Sequence, residues 1–497
     1  MIMKKIFCFL LLILFVTSCE KSTFLKESPK DRFVEGNFYS SASDAESAVN
    51  AIYNQLYSIY DRSMILLNDL TTDDEKNGLG MPNQYLQDLE YLKYTAENTF
   101  VRDMWGNNYS GIGRANSAIS NIEGMSFDVA LKTRFLGEAH FLRGLYYFNL
   151  VRFFGDVPLI LKLESLQDAL IPRTSRDSVY AQIIQDLQFA EDNLPKSYNS
   201  KNLGRATSGA AKILLGKVYL TIHDFQKAAD KLAEVVDNED EFGYGLNDNF
   251  ADNWKIATEN GKESVLAVQD LPPPGHTNGQ MALQGPKYSV AGGGGVPGIT
   301  GANEADIPTV DLYTKYIAGD SRKDVTFKID YVSPTNGQTY RSSIPLFGKY
   351  WEEGLTKLGN CDINVQIIRY SDAILMYAEA LNEIGNTQKA IELLNRVRER
   401  AFHGNSHDYS DLSQSELRAK IDLERRLEFA NEGQRWFDLV RTGRLYEIMQ
   451  AHGKLESQLA ESNKTLITQN AKAFQNLYPI PQREIDLNKL LTQNEGW

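Results

Sequence analysis

The chain has 497 residues, 42% of them hydrophobic and 24% charged, with a formal net charge of −13. These proportions belong to a globular protein with a sizeable core, not to a disordered chain. The negative balance argues against a basic phosphate-binding stripe, so nucleic acid is not an expected partner. Aromatic residues reach 11%, enough to supply stacking surfaces as well as core.

The N-terminus reads as a targeting segment. "MIMKK" carries Lys4 and Lys5, "IFCFLLLILFV" is an apolar run too short for a comfortable membrane span, and "TSC" ends it at Cys19. Small residues before a cysteine resemble a bacterial lipoprotein signal, in which the cysteine becomes the lipidated first residue. Residues 1–18 are then the removed signal, and losing Lys4 and Lys5 takes the formal charge from −13 to −15. Cys8, Cys19 and Cys361 are the three cysteines, which leaves one unmodified thiol in the mature chain and no disulfide framework or thiolate metal cluster.

Residues 19–37 read as an extended tether. From Ser40, "SASDAESAVNAIYNQLYSIY" opens with Ser/Asp capping chemistry and spaces Ala48, Ile52, Leu56 and Ile59 as on a helix. The segment "EAHFLRGLYYFNLVRFFGDVPL", 138–159, is apolar over so wide an arc that it reads as a helix sandwiched between neighbours, with His140 packed or hydrogen-bonded within. It stops at glycine and then proline. Residues 174–193 predict another amphipathic helix, capped at Thr174 or Ser175 and stopped at Leu194-Pro195.

Two stretches repeat a layout. "LLGKVYLTIHDFQKAADKLAEVV" (214–236) and "MYAEALNEIGNTQKAIELLNRV" (376–397) both resemble a tetratricopeptide helical hairpin. Gly216 precedes Ala228, and Ala378 precedes Ala390, by the same interval, and each second helix opens with Gln-Lys-Ala. Small residues there let paired helices approach closely. Between them, 237–366 differs: "LPPPGHTNGQ" and "AGGGGVPGITG" are glycine- and proline-rich, and "ESVLAVQ" and "DVTFKIDYV" read as short strands. The expectation is a mainly α protein with one body over 38–497. A tetratricopeptide-like hairpin bundle (38–236 and 367–449) carries a loop-rich insertion with short strands (237–366). A tail (450–497), with "LYPIPQREIDLNKLL", runs over the surface.

Six pieces carry a resemblance to a known family: "GRANSAISNI" (113–122), "GEAHFLRGLYYFNLVRFFGDVPL" (137–159), "GRATSGAAKILLGKVYL" (204–220), "RYSDAILMYAEALNEIG" (369–385), "ERRLEFANEGQRWFDLVRTGR" (424–444) and "YPIPQREIDLN" (478–488). In this order the chain resembles the SusD/RagB family of outer-membrane nutrient-binding lipoproteins. The resemblance implies a lipid anchor at Cys19 and an outer-leaflet position facing the exterior. It also implies a TonB-dependent (SusC-like) transporter as partner and oligosaccharides, or in some members peptides, as ligand. No catalytic centre and no cofactor are implied. A non-catalytic helical-repeat scaffold for surface enzymes, and a surface hydrolase, are the competing classes.

A sugar ring offers an apolar face for Trp or Tyr to stack on, and hydroxyls that need fixed polar partners. Trp105, with Asn108 and Tyr109, precedes the "GRAN" stretch, which contributes to the glycan platform in related proteins; helix packing is the alternative. The variable half supplies Trp254, Tyr288, Tyr340 and Trp351, each either a ligand contact or a core or loop anchor. Asp73 and Asp74, in "NDLTTDDEKNG", resemble a ligand-facing segment; a solvated acidic turn is the competing reading, and the spacing is not that of an EF-hand.

Other motifs fail. "AGGGGVPGITG" lacks the Gly-Lys-Ser/Thr ending of a phosphate loop. His403 and His407 in "HGNSH" lack the helix and the glutamate of a zinc-protease motif, so no metal is expected. Arg425, Arg426, Glu428, Glu432, Arg435 and Asp438 fall at spacings suited to ion pairs along a helix, with Trp436 and Phe437 as core.

Overall fold

The computed structural model describes residues 39–78, 83–162, 165–290, 295–458 and 465–497. The expected signal, Cys19 and the tether lie outside these residues, as does most of the "AGGGG" run. The described chain is mainly helical, with six short strands, and no described helix is long and apolar enough to cross a membrane.

Local chemistry sets the helix ends. Ser41 and Asp44 form a reciprocal capping box at helix Ala42–Tyr53. Asp128 caps Val129–Phe154, which stops at Gly155 with φ 70. Ser175, not Thr174, caps Arg176–Asn193. Helix Val129–Phe154 is the centre of the first half: it packs against Thr99–Ile122 and against Arg176–Asn193, and is buried almost all round from Phe135 onward. His140 lies between elements, its Nδ1 2.7 Å from Asp186 Oδ1, while Arg143 donates to both oxygens of the same carboxylate.

The repeated layouts form two hairpins, Ser208–Thr221 with Phe225–Val236 and Tyr370–Glu383 with Thr387–Phe402. Helix Phe225–Val236 packs on Tyr370–Glu383, so the hairpins stack although more than a hundred residues separate them. Gly216 makes the first hairpin possible: a Cβ there would lie 2.6 Å from Leu232 Cγ. Alanine ordinarily stabilises a helix relative to glycine, by about 1 kcal/mol. Here Gly216→Ala should instead destabilise by about 1–3 kcal/mol, the usual range for overpacking, read as a lower melting temperature.

Three two-stranded antiparallel sheets organise the rest. Ser264–Val268 pairs with Val365–Arg369, which brings the two ends of the irregular region together at the scaffold. Glu75–Asn77 pairs with Asp306–Pro308, and Phe327–Val332 pairs with Thr339–Phe347.

A buried ion network fastens this region to the helices. Arg369 bonds Glu263, Glu428 and Glu432 at 2.7–2.8 Å. Arg400 joins Glu263 and Glu428. Arg322 joins Asp320, Glu424 and Glu428. Lys349 bonds Glu432 at 2.6 Å. The "ERRLEFANEGQRW" charges therefore pair across elements, not along one helix as their spacing suggests. The reason is that helix Gln414–Glu428 ends before Glu432, and its buried face meets partners far away in sequence. Burial alone would raise Glu428; Arg400, Arg369 and Arg322 outweigh it and hold its carboxyl well below the usual range.

The tail also departs from expectation. Tyr478 and Ile480 are fully buried, Tyr478 donates to Leu67 O at 2.6 Å, and its ring packs on Tyr94, Phe153 and Trp436. The "YPIP" run is a strap that closes the core, not a surface crossing.

Candidate functional site

Two of the sequence-selected aromatics meet in one groove of about 530 Å³. Trp254 ends the short helical turn Phe250–Trp254. Trp351 follows strand Thr339–Phe347 through a turn in which its N–H donates to Gly348 O at 2.9 Å. Lys255, Lys328, Lys349, Asp324, Glu352, Glu353 and Ile363 are among the other lining residues. Of these, sequence reasoning missed all; "KYWEEG", a tryptophan beside two carboxylates in a loop, was the available signal.

The groove is rigid at its floor. Trp254 is 5% exposed, sits edge-on to Tyr350 at 5.2 Å, and has Lys349 Nζ 5.0 Å from its ring centre, so the ion network described above ends beneath it. Burial pulls Lys349 down to about 8 despite the attraction of Glu432. Trp351 is half-buried, edge-on to Tyr331 at 4.8 Å, with Lys328 Nζ 5.5 Å from its ring. Trp254 Nε1, Trp351 Nε1 and Glu352 Oε2 have no hydrogen-bond partner among the described residues. Such groups are rare in folded proteins and unfavourable when left unsatisfied.

Carboxylates crowd the back of the groove. Burial and then Asp362 raise the Glu352 carboxyl. Glu259, whose Oε1 accepts from Asn364 N at 2.7 Å, is pushed up to about 7 by burial and then by Asp362 and Glu352. Asp270 is pushed up to about 8, by burial first and Asp61 next. An unfolded aspartate titrates at about 3.9. Between these two values the folded protein keeps a proton that the unfolded chain has released, so stability falls as pH rises through that window. Asp270→Asn removes this loss. Its melting temperature should exceed that of the wild type near pH 8 and match it near pH 4, roughly the unfolded value.

The other selected residues lie elsewhere. Tyr288 is 48% exposed on a turn pinned by Glu304, which accepts from the backbone N–H groups of Lys287, Tyr288 and Ser289. Tyr340 is half-buried, its hydroxyl accepting from Asn336 Nδ2 at 3.1 Å, and it packs with Trp351 on the small core of Val290, Ile307, Tyr331 and Leu346. Trp105 is 3% exposed, edge-on to Phe154, at the wall of a separate, mostly apolar groove of about 440 Å³ with Tyr109, Leu487 and Leu491.

Three residues selected as ligand contacts are interior. Asn108 is fully buried; its Nδ2 donates to Met104 O at 2.7 Å and its Oδ1 accepts from Asn149. Asp73 and Asp74 are buried and bound by Arg426 and Arg435, with Arg435 Nε 2.9 Å from Asp73 and Arg426 Nε 2.6 Å from Asp74. Neither ligand-facing nor solvated, this acidic pair joins the early turn to the C-terminal helices, because burying a carboxylate demands a cation beside it. No described group of His, Cys, Asp or Glu is arranged to hold a metal ion.

The architecture is thus that of a helical-hairpin scaffold holding an irregular, groove-bearing face. Residues 253–497 match the model of the SusD family, and residues 23–220 match a model described as starch-binding, associating with the outer membrane. A SusD-like protein of Bacteroides ovatus is 30% identical over 86% of this chain and 80% of its own. SusD-like protein P2 of Formosa agariphila is 29% identical over 98% of this chain and 99% of its own. Among solved structures, a laminarin-binding SusD-like protein superposes with a TM-score of 0.76 at 28% identity, covering 92% of this chain and 99% of that one. Surface glycan-binding protein A from Bacteroides fluxus gives 0.75 at 25%, covering 92% and 100%. The chain belongs to the SusD family.

Proposed function

We propose that this protein is a non-catalytic surface lipoprotein, anchored through Cys19 in the outer membrane and facing the exterior. It binds oligosaccharides and passes them to a TonB-dependent, SusC-like transporter. The observation that carries the binding role is the convergence of Trp254 and Trp351, from distant parts of the chain, on one groove whose lining also holds lysines and carboxylates. Ring faces and fixed polar groups are what a sugar requires. Two structural relatives named for laminarin and glycan binding support the ligand class, and the family described as associating with the outer membrane supports the location. The lipid anchor rests on "TSC" and its preceding apolar run.

Calorimetry of residues 20–497 against a panel of oligosaccharides and a peptide pool tests this. Saturable binding to a glycan class, with the sugar recovered intact, is expected. Tight peptide binding without any glycan response would sink the glycan reading in favour of the peptide-binding form of the same architecture. Turnover of a glycan would sink the non-catalytic one.

A further inference from the structure

We propose that the groove between Trp254 and Trp351 selects uncharged oligosaccharides, with Glu352 the residue that excludes uronate- and sulfate-bearing ones. This rests on the glycan-binding reading of the same groove and adds a charge class to it.

The argument comes from which charges in the lining are already paired. Three lysines line the groove, and each is bound: Lys255 to Asp252 at 2.7 Å, Lys328 to Glu353 at 2.6 Å, and Lys349 to Glu432 at 2.6 Å and to the Glu428 carbonyl at 3.0 Å. An incoming anion must compete with these partners for every cation it meets. Lys349 is also wholly buried beneath Trp254, out of a ligand's direct reach.

The carboxylates are not matched in the same way. Glu352 Oε2 has no partner among the described residues, and although Asp362 and Cys361 hydrogen-bond the same carboxyl, the charge that acts on it is the like-charged Asp362. Exposed Asp324 adds a further negative charge to the lining. Burial first, and then like-charged neighbours, raise the Glu352 and Glu259 carboxyls. Like charges brought together at a binding surface suppress the wrong partner more than matched ones reward the right one.

A sugar hydroxyl suits this arrangement. It donates and accepts at once, so neighbouring hydroxyls on one ring can accept from a tryptophan N–H and donate to Glu352 Oε2. A hydrogen bond to an ionised acceptor is the stronger kind. A carboxylate or sulfate offers only acceptors and meets Glu352 with repulsion. Trp351 and Glu352 are adjacent on an irregular loop, and both open atoms are shielded in the free protein. They engage as the two side chains turn toward the ligand, which relieves unsatisfied groups.

The test is binding of residues 20–497 to two sets of defined oligosaccharides. One set is neutral (β-1,3-gluco-, malto- and xylo-oligosaccharides), and the other is acidic (oligogalacturonates, oligoalginates and sulfated galactan fragments). Trp351→Ala and Glu352→Gln are measured beside the wild type, and each variant's fold is checked by thermal melting. Binding confined to neutral members is expected, lost on Trp351→Ala, with acidic members gaining at least about tenfold in Glu352→Gln, the scale of one removed like-charge contact. Higher ionic strength should leave neutral binding unchanged. Acidic oligosaccharides that bind as tightly as neutral ones, and lose affinity on Trp351→Ala, would overturn the charge selection and leave the glycan reading standing. Absence of any Trp351-dependent binding in either set overturns the glycan reading of the groove itself.

Discussion

Arg369→Met should lower the unfolding free energy by about 3–5 kcal/mol, the range for removing one partner of a buried charge cluster. Arg369 is 1% exposed and touches three carboxylates. Its removal leaves Glu263, Glu428, Glu432, Asp320 and Glu424 sharing Arg400, Arg322, Lys349 and Arg398, with one negative charge in excess inside the protein. The loss falls at the base of the irregular region, because Arg369 ends the strand that pairs with Ser264–Val268. Equilibrium denaturation measures it, with Arg396→Met as the comparison. Arg396 pairs with Glu239 at 2.6 Å but is 35% exposed, so its removal should cost under about 1 kcal/mol. Equal effects from the two would show that the network does not hold the halves together.

Trp351→Ala should weaken glycan binding about thirtyfold or more, the roughly 2 kcal/mol that a tryptophan anchor carries in a binding site. Phenylalanine at the same position keeps a ring for stacking and lacks the N–H, so Trp351→Phe should lose less. The ordering wild type, Phe, Ala separates the ring's contribution from the hydrogen bond's. Trp351 is half-buried and packs at the edge of both the main core and a small separate one, so thermal melting of the variant is needed to show that the body still folds. Trp254 is a poorer probe of binding, because it is buried and braced by Lys349 and Arg369. Its truncation damages the fold and the groove together.

Periodicity, caps and small residues are local features, and they are where the chain was most legible. Ser41 and Ser175 cap the helices their positions suggested. Gly216 and Ala378 stand in hairpins that stack on each other. The aromatic run 138–159 is scaffold, as its breadth of apolar faces implies. The six ordered motifs carried the family, because they mark scaffold contacts whose spacing along the chain is set by helix length.

Charge partnerships and exposure were decided only by the tertiary structure. An aspartate pair reads the same in sequence whether it faces water or an arginine hundreds of residues away, and Asp73 and Asp74 face Arg426 and Arg435. Five aromatics were candidates along the chain, yet the fold turned Trp254 and Trp351 onto one groove, left Tyr288 outside on its own turn, and packed Trp105 against Phe154. Composition and periodicity specify which faces are apolar. Which side chains meet across loops depends on long-range closure, here the pairing of Ser264–Val268 with Val365–Arg369 and the ion network beneath it, and no local pattern encodes that.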